Sequence, residues 1–459
     1  MSRPLVVHPV LFFASILLSF HAYNLGRLPL AEDLLPLTLL FLPVLVGNVL
    51  ILRIKQVRAT GIILSIFLVM FFSYGQMFEL VKTWEFGHGW LDHRLLMPAW
   101  IGLMVLGIWM AARTRSDLAN LTRILNLVSL AMVLMPVAMI ASYPLRGGIV
   151  WQWSHPTENP APLQANATPP ASRPDIYYII LDRYANEETL RSSYGLDNRE
   201  FLDFLRSKGF YVAGESRSNY MKTPLSLASS LSMEYIEYFA KDPGRESGDW
   251  IPAYSRLRDY RVWRFLKSRG YTFVHMGTRW EPTRFNPHAD ENINVYTPPE
   301  VVWALAEQSL LHPLGTYFRI GWLDFRVREW QRVPHQMEEL LEIPQDARPT
   351  FTFLHLLLPH GPYAFNPDGS FVSEGDLLAR PRRENYRNQL QYANRLVRET
   401  MERLLAASPQ PPVIVLQSDE GPIPIRYPRE GLKFDWKQAT TEDLREKTGI
   451  LNAYYLPGV

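Results

Sequence analysis

The sequence predicts a chain of two parts: an N-terminal multi-span α-helical membrane domain, then an α/β domain with a mostly parallel central sheet. Two observations predict it. Residues 1–150 hold five long apolar segments, and beyond residue 174 short apolar β-rich runs alternate with helical patterns. Residues 151–173, between the two parts, are rich in Pro and Ala without periodicity and read as a semi-extended linker. Residues 174–459 are enough chain to bury a full core of their own.

The five apolar segments are Leu5–Tyr23, Leu35–Leu52, Gly61–Leu80, Leu95–Ala112 and Ile124–Tyr143. Each comes near the roughly 20 residues that cross about 30 Å of hydrocarbon. The first is not read as a cleaved signal peptide, because it lacks a small-residue cleavage site and four more segments follow. His8 and His21 weaken it as a span. With the N-terminus inside, the inner loops carry Arg3, Arg53, Lys55, Arg58, Arg113, Arg115 and Arg123. The outer loops carry Arg27, Lys82 and Arg94, diluted by Glu32, Asp33, Glu85 and Asp92. This bias places the C-terminal domain outside the cytoplasm. Trp84, Trp90, Trp151 and Trp153 fall where interfacial aromatics sit.

The net charge of +2 gives no nucleic-acid footprint. The chain has no cysteine, which excludes disulfides and thiolate catalysis.

In the second part, Asp175–Leu181, Tyr271–His275, Phe351–Leu358, Val413–Gln417 and Ile450–Leu456 read as strands. Arg199–Lys208, Pro224–Phe239, Tyr260–Arg269 and Arg383–Ala407 read as helices. In parallel sheets, sites form at the carboxyl ends of strands. Three strand ends carry suitable residues. The first meets Asp182. The Phe351 strand contains His355 and runs into Pro359-His360. The Val413 strand ends in Ser418-Asp419-Glu420-Gly421. Converging carboxylates and imidazole suit a divalent metal. Each has a plainer alternative: Asp182 as a turn or cap residue, His360 as a structural residue before a Gly-Pro turn, and Asp-Glu-Gly as a turn. Thr223 with Pro224 reads first as an N-cap followed by proline at the first helical position. The same geometry suits a nucleophile, since a hydroxyl at a helix N-terminus sits in a positive field. Lys222 and Asn219 are placed to contact an anionic substrate.

The order of these pieces resembles the alkaline phosphatase/sulfatase superfamily. The pieces are Pro-Asp-Ile-Tyr-Tyr-Ile-Ile-Leu-Asp182, Thr223-Pro-Leu-Ser-Leu-Ala-Ser-Ser-Leu, Pro359-His360-Gly361-Pro362-Tyr363 and Ser418-Asp419-Glu420-Gly421. With membrane spans in front, the chain looks like lipoteichoic-acid synthases and lipid A phosphoethanolamine transferases. The resemblance implies a sulfatase-like catalytic domain with Thr223 as nucleophile and a phospho-threonine intermediate. It implies metal ligation by Asp182, Thr223, Asp419 and Glu420, and leaving-group contact by His360. Arg279, Trp280 and His355 join Asn219 and Lys222 as expected substrate-binding residues. A membrane phospholipid is the expected donor and an envelope glycan or lipid the acceptor. The expected location is a bacterial inner membrane.

Two departures bear on the chemistry. Glu420 stands where the resembled family usually has histidine. This makes the site more oxygen-rich and favours Mn²⁺, with Mg²⁺ or Ca²⁺ next, over Zn²⁺. Threonine at the nucleophile position argues against formylglycine-type sulfatase activity. A phosphate- or sulfate-ester hydrolase with the same covalent step is the competing enzyme reading, and a catalytically decayed envelope scaffold the non-enzyme one. The chain stops straight after an apolar strand at Leu456-Pro457-Gly458-Val459, so the expectation is that its C-terminal end is incomplete.

Overall fold

The computed structural model describes residues 5–27, 30–53, 56–83, 93–143, 173–240, 247–294, 299–318, 320–321, 323–345, 348–427 and 436–458. Arg3, Lys55, the aromatics Trp84, Trp90, Trp151 and Trp153, the charges Glu85 and Asp92, and nearly all of the 151–173 linker lie outside these residues. The chain forms two compact units. One holds residues 1–154 with 243–251 and 298–324, and the other holds 155–242, 252–297 and 325–459. Two stretches of the region expected to be catalytic therefore pack with the membrane helices.

The helical unit contains α1 (His8–Tyr23), α2 (Leu30–Ile51), α3 (Val57–Phe72), α4 (Tyr74–Thr83), α5 (His93–Arg113) and α6 (Ala119–Ser142). Among the described residues, α2, α5 and α6 are each long and apolar enough to cross a membrane. The pair α3 and α4, bent by 46° at Ser73, counts as a fourth span if taken together. The expected first span folds as α1, an apolar helix of only 16 residues. Its histidines do not meet lipid: His8 and His21 are buried, and His8 Nδ1 lies 2.6 Å from Ser65 Oγ of α3. Asn126 of α6 accepts from the amide of His8 at 3.0 Å and donates to Leu5 O at 2.7 Å, so it caps α1 from a neighbouring helix. Thr122, Ser129 and Pro136, seven residues apart on α6, are buried, while Leu127, Leu130 and Leu134 point outward. Polar and small residues inside with apolar residues outside is the packing rule of membrane helices, where satisfied hydrogen bonds and close approach replace hydrophobic burial.

The returning segments dock on helix ends. Trp250 N–H donates to Gly26 O at 2.6 Å, just beyond α1. Helix Glu300–Gln308 contributes Val301 and Leu305 to a core with Phe13, Leu17, Phe20 and Leu68. Leu310 N–H donates to Phe71 O at 2.9 Å, beside the bend after α3. There a break in the helical ladder leaves carbonyls in need of donors. Gly75 is required at this contact, because a Cβ there would meet Gln308 Cα at 2.8 Å.

The other unit is a seven-stranded sheet. Its strands are β1 (Ile176–Leu181), β2 (Tyr211–Val212), β3 (Thr272–Met276), β4 (Glu291–Ile293), β5 (Thr350–Leu356), β6 (Val413–Gln417) and β7 (Asn452–Tyr455). The order is β2-β7-β6-β1-β5-β3-β4, parallel except for β7, which runs antiparallel to β6 and β2. Every residue of β5 is buried, as a strand covered on both faces requires. Alternate β1 side chains serve opposite cores. Tyr177, Ile179 and Leu181 face one, and Ile180 faces the other with Leu227, Ala228 and Leu231 of helix Thr223–Ser232. The register pairs Ile180 with both His355 and Gln417, so the ends of β1, β5 and β6 come level. The helix expected over Pro224–Phe239 stops at Ser232, because Met233 turns left-handed (φ 53°). A short 3₁₀ turn, Glu237–Ala240, follows.

Candidate active site

Level strand ends bring Asp182, Asp419 and Glu420 together. All three are buried, and their ligand oxygens lie within 4.8 Å of one another. Local hydrogen bonds hold the arrangement. His360 N–H donates to Asp182 O at 3.1 Å, and Asp182 N–H donates to Leu356 O at 2.9 Å. Tyr184 N–H donates to Ser418 Oγ at 2.8 Å, which in turn donates to Glu420 O at 2.9 Å. Arg183 adopts a left-handed φ of 62°. This costs roughly 1–2 kcal/mol in a non-glycine residue. The turn aims its amide at Asp419 Oδ1 (3.1 Å) and its Nε at Glu420 Oε1 (3.1 Å).

Three carboxylates this close repel strongly. At about 5 Å and an effective dielectric of about 20, each like-charged pair costs roughly 3 kcal/mol. Burial first, then Asp182 and Glu420, push the Asp419 carboxyl well above the usual range. Asp182 is held below its ordinary value: burial raises it, but His360, His355 and Arg183 together outweigh burial. Asp182 Oδ1, Asp419 Oδ2 and Glu420 Oε2 are buried and have no hydrogen-bond partner. Buried oxygens left unsatisfied are costly, so an oxygen set of this kind fits a hard divalent cation.

Thr223 is placed beside this cluster. The helix cap is Lys222, whose backbone is extended (φ −142°, ψ 131°), and Thr223 is the first helical residue. The expected threonine cap is thus one position out. The Thr223 hydroxyl is not spent on capping, and its nearness works to lower the Asp419 carboxyl against the stronger upward push of burial and the two acidic neighbours. Ser226 Oγ anchors the same helix, donating to Asp419 O at 2.6 Å. Thr223 is half-buried and so remains reachable.

The other expected residues divide. His355 is fully buried on β5, its Nε2 3.7 Å from Asp182 Oδ2. The Trp280 ring stands edge-on to it, with centroids 6.2 Å apart. His360 is half-buried, and its Nδ1 donates to Gly361 O. It lines an open cleft with Arg183, Tyr363, Arg382 and Tyr386. Arg279 turns to other partners. Its Nε lies 3.7 Å from Glu329 Oε1 and its guanidinium over the Phe325 ring, a network that also holds the buried Arg332. Asn219 is exposed and donates to Ser229 Oγ at 3.3 Å, and Lys222 is exposed.

Three residues at the site escaped sequence reading. Arg183 follows the strand-ending aspartate, a position that could have drawn notice. Lys447 is buried with its Nζ 2.6 Å from Glu420 Oε1, yet it lies in a highly charged helix, Thr441–Thr448, that reads as solvent-facing. Thr283 Oγ1 contacts His355 Nδ1.

No family model matches the chain, and no curated protein does. Among solved structures it is similar to the integral membrane lipooligosaccharide phosphoethanolamine transferase A of Neisseria meningitidis. That likeness has 13% identity and a TM-score of 0.40, over 98% of this chain and 88% of that one. It is similar to the C-terminal periplasmic domain of the phosphoethanolamine transferase EptC of Campylobacter jejuni, with 13% identity, TM-score 0.39, 62% of this chain and 80% of that one. It is also similar to the lipoteichoic acid synthase LtaP of Listeria monocytogenes, with 14% identity, TM-score 0.38, 62% of this chain and 66% of that one. Both groups that the motifs resemble are therefore among its structural likenesses, at values that assign no activity to this chain.

Proposed function

We propose that the chain is a membrane-embedded, metal-dependent transferase. It would move a phospho-alcohol head group from a membrane phospholipid to an envelope glycan or lipid, through a phosphorylated Thr223. One observation carries the reading: a helix-terminal threonine hydroxyl, not engaged in capping, beside a buried carboxylate cluster.

Asp182, Asp419, Glu420 and Thr223 would hold the cation. When bound, it supplies positive charge that acidifies a hydroxyl and offsets charge on phosphoryl oxygens; the all-oxygen set favours Mn²⁺, then Mg²⁺ or Ca²⁺. Thr223 Oγ attacks phosphorus, and its proton passes to the neighbouring Asp419. The bond from phosphorus to the glycerolipid oxygen breaks, and His360 gives that oxygen a proton. With Nδ1 committed to Gly361 O, the transfer falls to Nε2. The field at the helix N-terminus favours the anionic phosphoryl group. In the second half, an acceptor hydroxyl attacks the same phosphorus and returns a proton to His360. The Oγ–P bond then breaks, and Asp419 reprotonates Thr223.

The catalytic unit would face outward from a bacterial inner membrane. The Lys and Arg bias supports this side, and Trp250 docks at Gly26, just past the end of α1 that the bias puts outside. The test is release of diacylglycerol from phosphatidylglycerol or phosphatidylethanolamine vesicles. The expectation is that Thr223→Ala abolishes release. Release by that variant at the wild-type rate would refute the mechanism, and release into water without any acceptor would mark a hydrolase.

A further inference from the structure

Among the described residues of the catalytic unit, one lysine is buried against the acidic cluster. Lys447 sits in the last turn of helix Thr441–Thr448, its side chain 3% exposed. Its Nζ lies 2.6 Å from Glu420 Oε1 and donates to Gly421 O at 3.0 Å. Arg183 Nε donates to the same Oε1 at 3.1 Å. Two cations thus converge on one oxygen of Glu420, while Oε2, buried, has no partner.

We propose that Lys447 is a positioning residue: with Arg183 it clamps Glu420 Oε1, presents Oε2 alone to a divalent cation, and makes the cluster a one-ion site. This rests on the metal reading given above. The reasoning is electrostatic. A buried carboxylate left to itself could turn both oxygens to one cation or reach a second. Lysine and arginine already balance two of the three carboxylate charges, so one divalent ion leaves a small positive excess. A second would add two more charges in a place with little water to disperse them. The clamp is itself built in: Gly421 N–H donates to Lys447 O at 2.8 Å, and a Cβ on Gly421 would meet Glu446 O at 2.1 Å.

The test is Mn²⁺ binding to the full-length protein in detergent, read by titration, by metal content and by the electron paramagnetic resonance spectrum of the bound ion. Wild type is expected to hold one Mn²⁺ per chain. Lys447→Met should bind Mn²⁺ about tenfold tighter or more, because one positive charge has left the site, with an altered spectrum and a second ion admitted at high concentration. Lys447→Arg keeps the charge and should resemble wild type in stoichiometry. An unchanged affinity and spectrum in Lys447→Met, with equal loss of thermal stability in chelator and in Mn²⁺, would overturn the assignment and leave Lys447 as a packing residue. Should that variant not fold, the Glu420→Gln/Lys447→Met pair, which removes both members of the ion pair, replaces it. It should bind Mn²⁺ more tightly than Glu420→Gln alone, because the same positive charge has left the site, and an equal affinity overturns the proposal. No divalent ion bound by wild type would overturn the metal reading together with this one.

Discussion

Thr283 Oγ1 lies 3.0 Å from His355 Nδ1 and 2.9 Å from Thr278 Oγ1, and Thr278 Oγ1 accepts the amide of Trp280 at 2.9 Å. Thr283 thus stands between Thr278 and His355 Nδ1, while His355 Nε2 faces Asp182 Oδ2 at 3.7 Å. A hydroxyl pair behind the cluster therefore holds the ring of a histidine that faces it. Thr283→Val should lower turnover about tenfold to a hundredfold, the range for loss of an outer partner that orients a site histidine. Thr283→Ser should restore most of it. Equal activity in the valine and serine variants contradicts this positioning role.

His275 gives the fold an acid weakness. It stacks on Phe353, and its Nε2–H donates to Thr283 O at 2.9 Å. Burial pulls its pKa from 6.5 down to about 4. A histidine depressed in the folded state contributes stability that is complete above the unfolded value and lost as pH falls through the folded one. The window here is about pH 6.5 to 4, and the full contribution is about 3 kcal/mol. His275→Gln, neutral throughout, should be less stable than wild type at pH 7.5 and should lose less on going to pH 4.5. Thermal unfolding of the full-length protein at both pH values measures it. Parallel losses in the two proteins would assign the acid weakness elsewhere.

Removal of metal should expose the repulsion in the cluster. A chelator is expected to lower the melting temperature, and Mn²⁺ at about 100 times its Kd should restore roughly 3 kcal/mol. Asp419→Asn removes the charge that burial and its two acidic neighbours disfavour. The metal-free variant should therefore be more stable than metal-free wild type and should gain little from Mn²⁺. A variant that is less stable than wild type in chelator would contradict the electrostatic account.

Gly75 tests the docking of the returning segment. A side chain there collides with the Gln308 backbone at 2.8 Å. Gly75→Val is expected to raise amide exchange in residues 300–310, while helix Thr223–Ser232, in the other unit, exchanges as in wild type. Unchanged exchange over 300–310 would mean that the contact does not hold that segment.

Much of this was legible in the sequence because apolar runs ending in a polar residue mark strand ends. Asp182 and Asp419 stood out that way, and the level register of β1, β5 and β6 brings them together. Helix Thr223–Ser232 was legible from Thr-Pro, though its cap falls on Lys222 and its end on the left-handed Met233. What stayed hidden depends on tertiary pairing. Lys447 lies in a segment whose neighbours are almost all charged, so no periodicity marks the one side chain that turns inward. Arg279, expected at the substrate, pairs with Glu329, which is distant in sequence. His8 counted against α1 as a span, and its ring is buried with Ser65 of α3 as partner, a pairing that no local pattern shows.

The most direct measurement is intact-mass analysis of the full-length protein after incubation with phosphatidylglycerol, phosphatidylethanolamine or a sulfate ester, each with Mn²⁺. The account predicts an adduct of phospho-alcohol mass with one of the two phospholipids, localised to Thr223 and absent from Thr223→Ala. An adduct on another residue, or one that persists in Thr223→Ala, would contradict it.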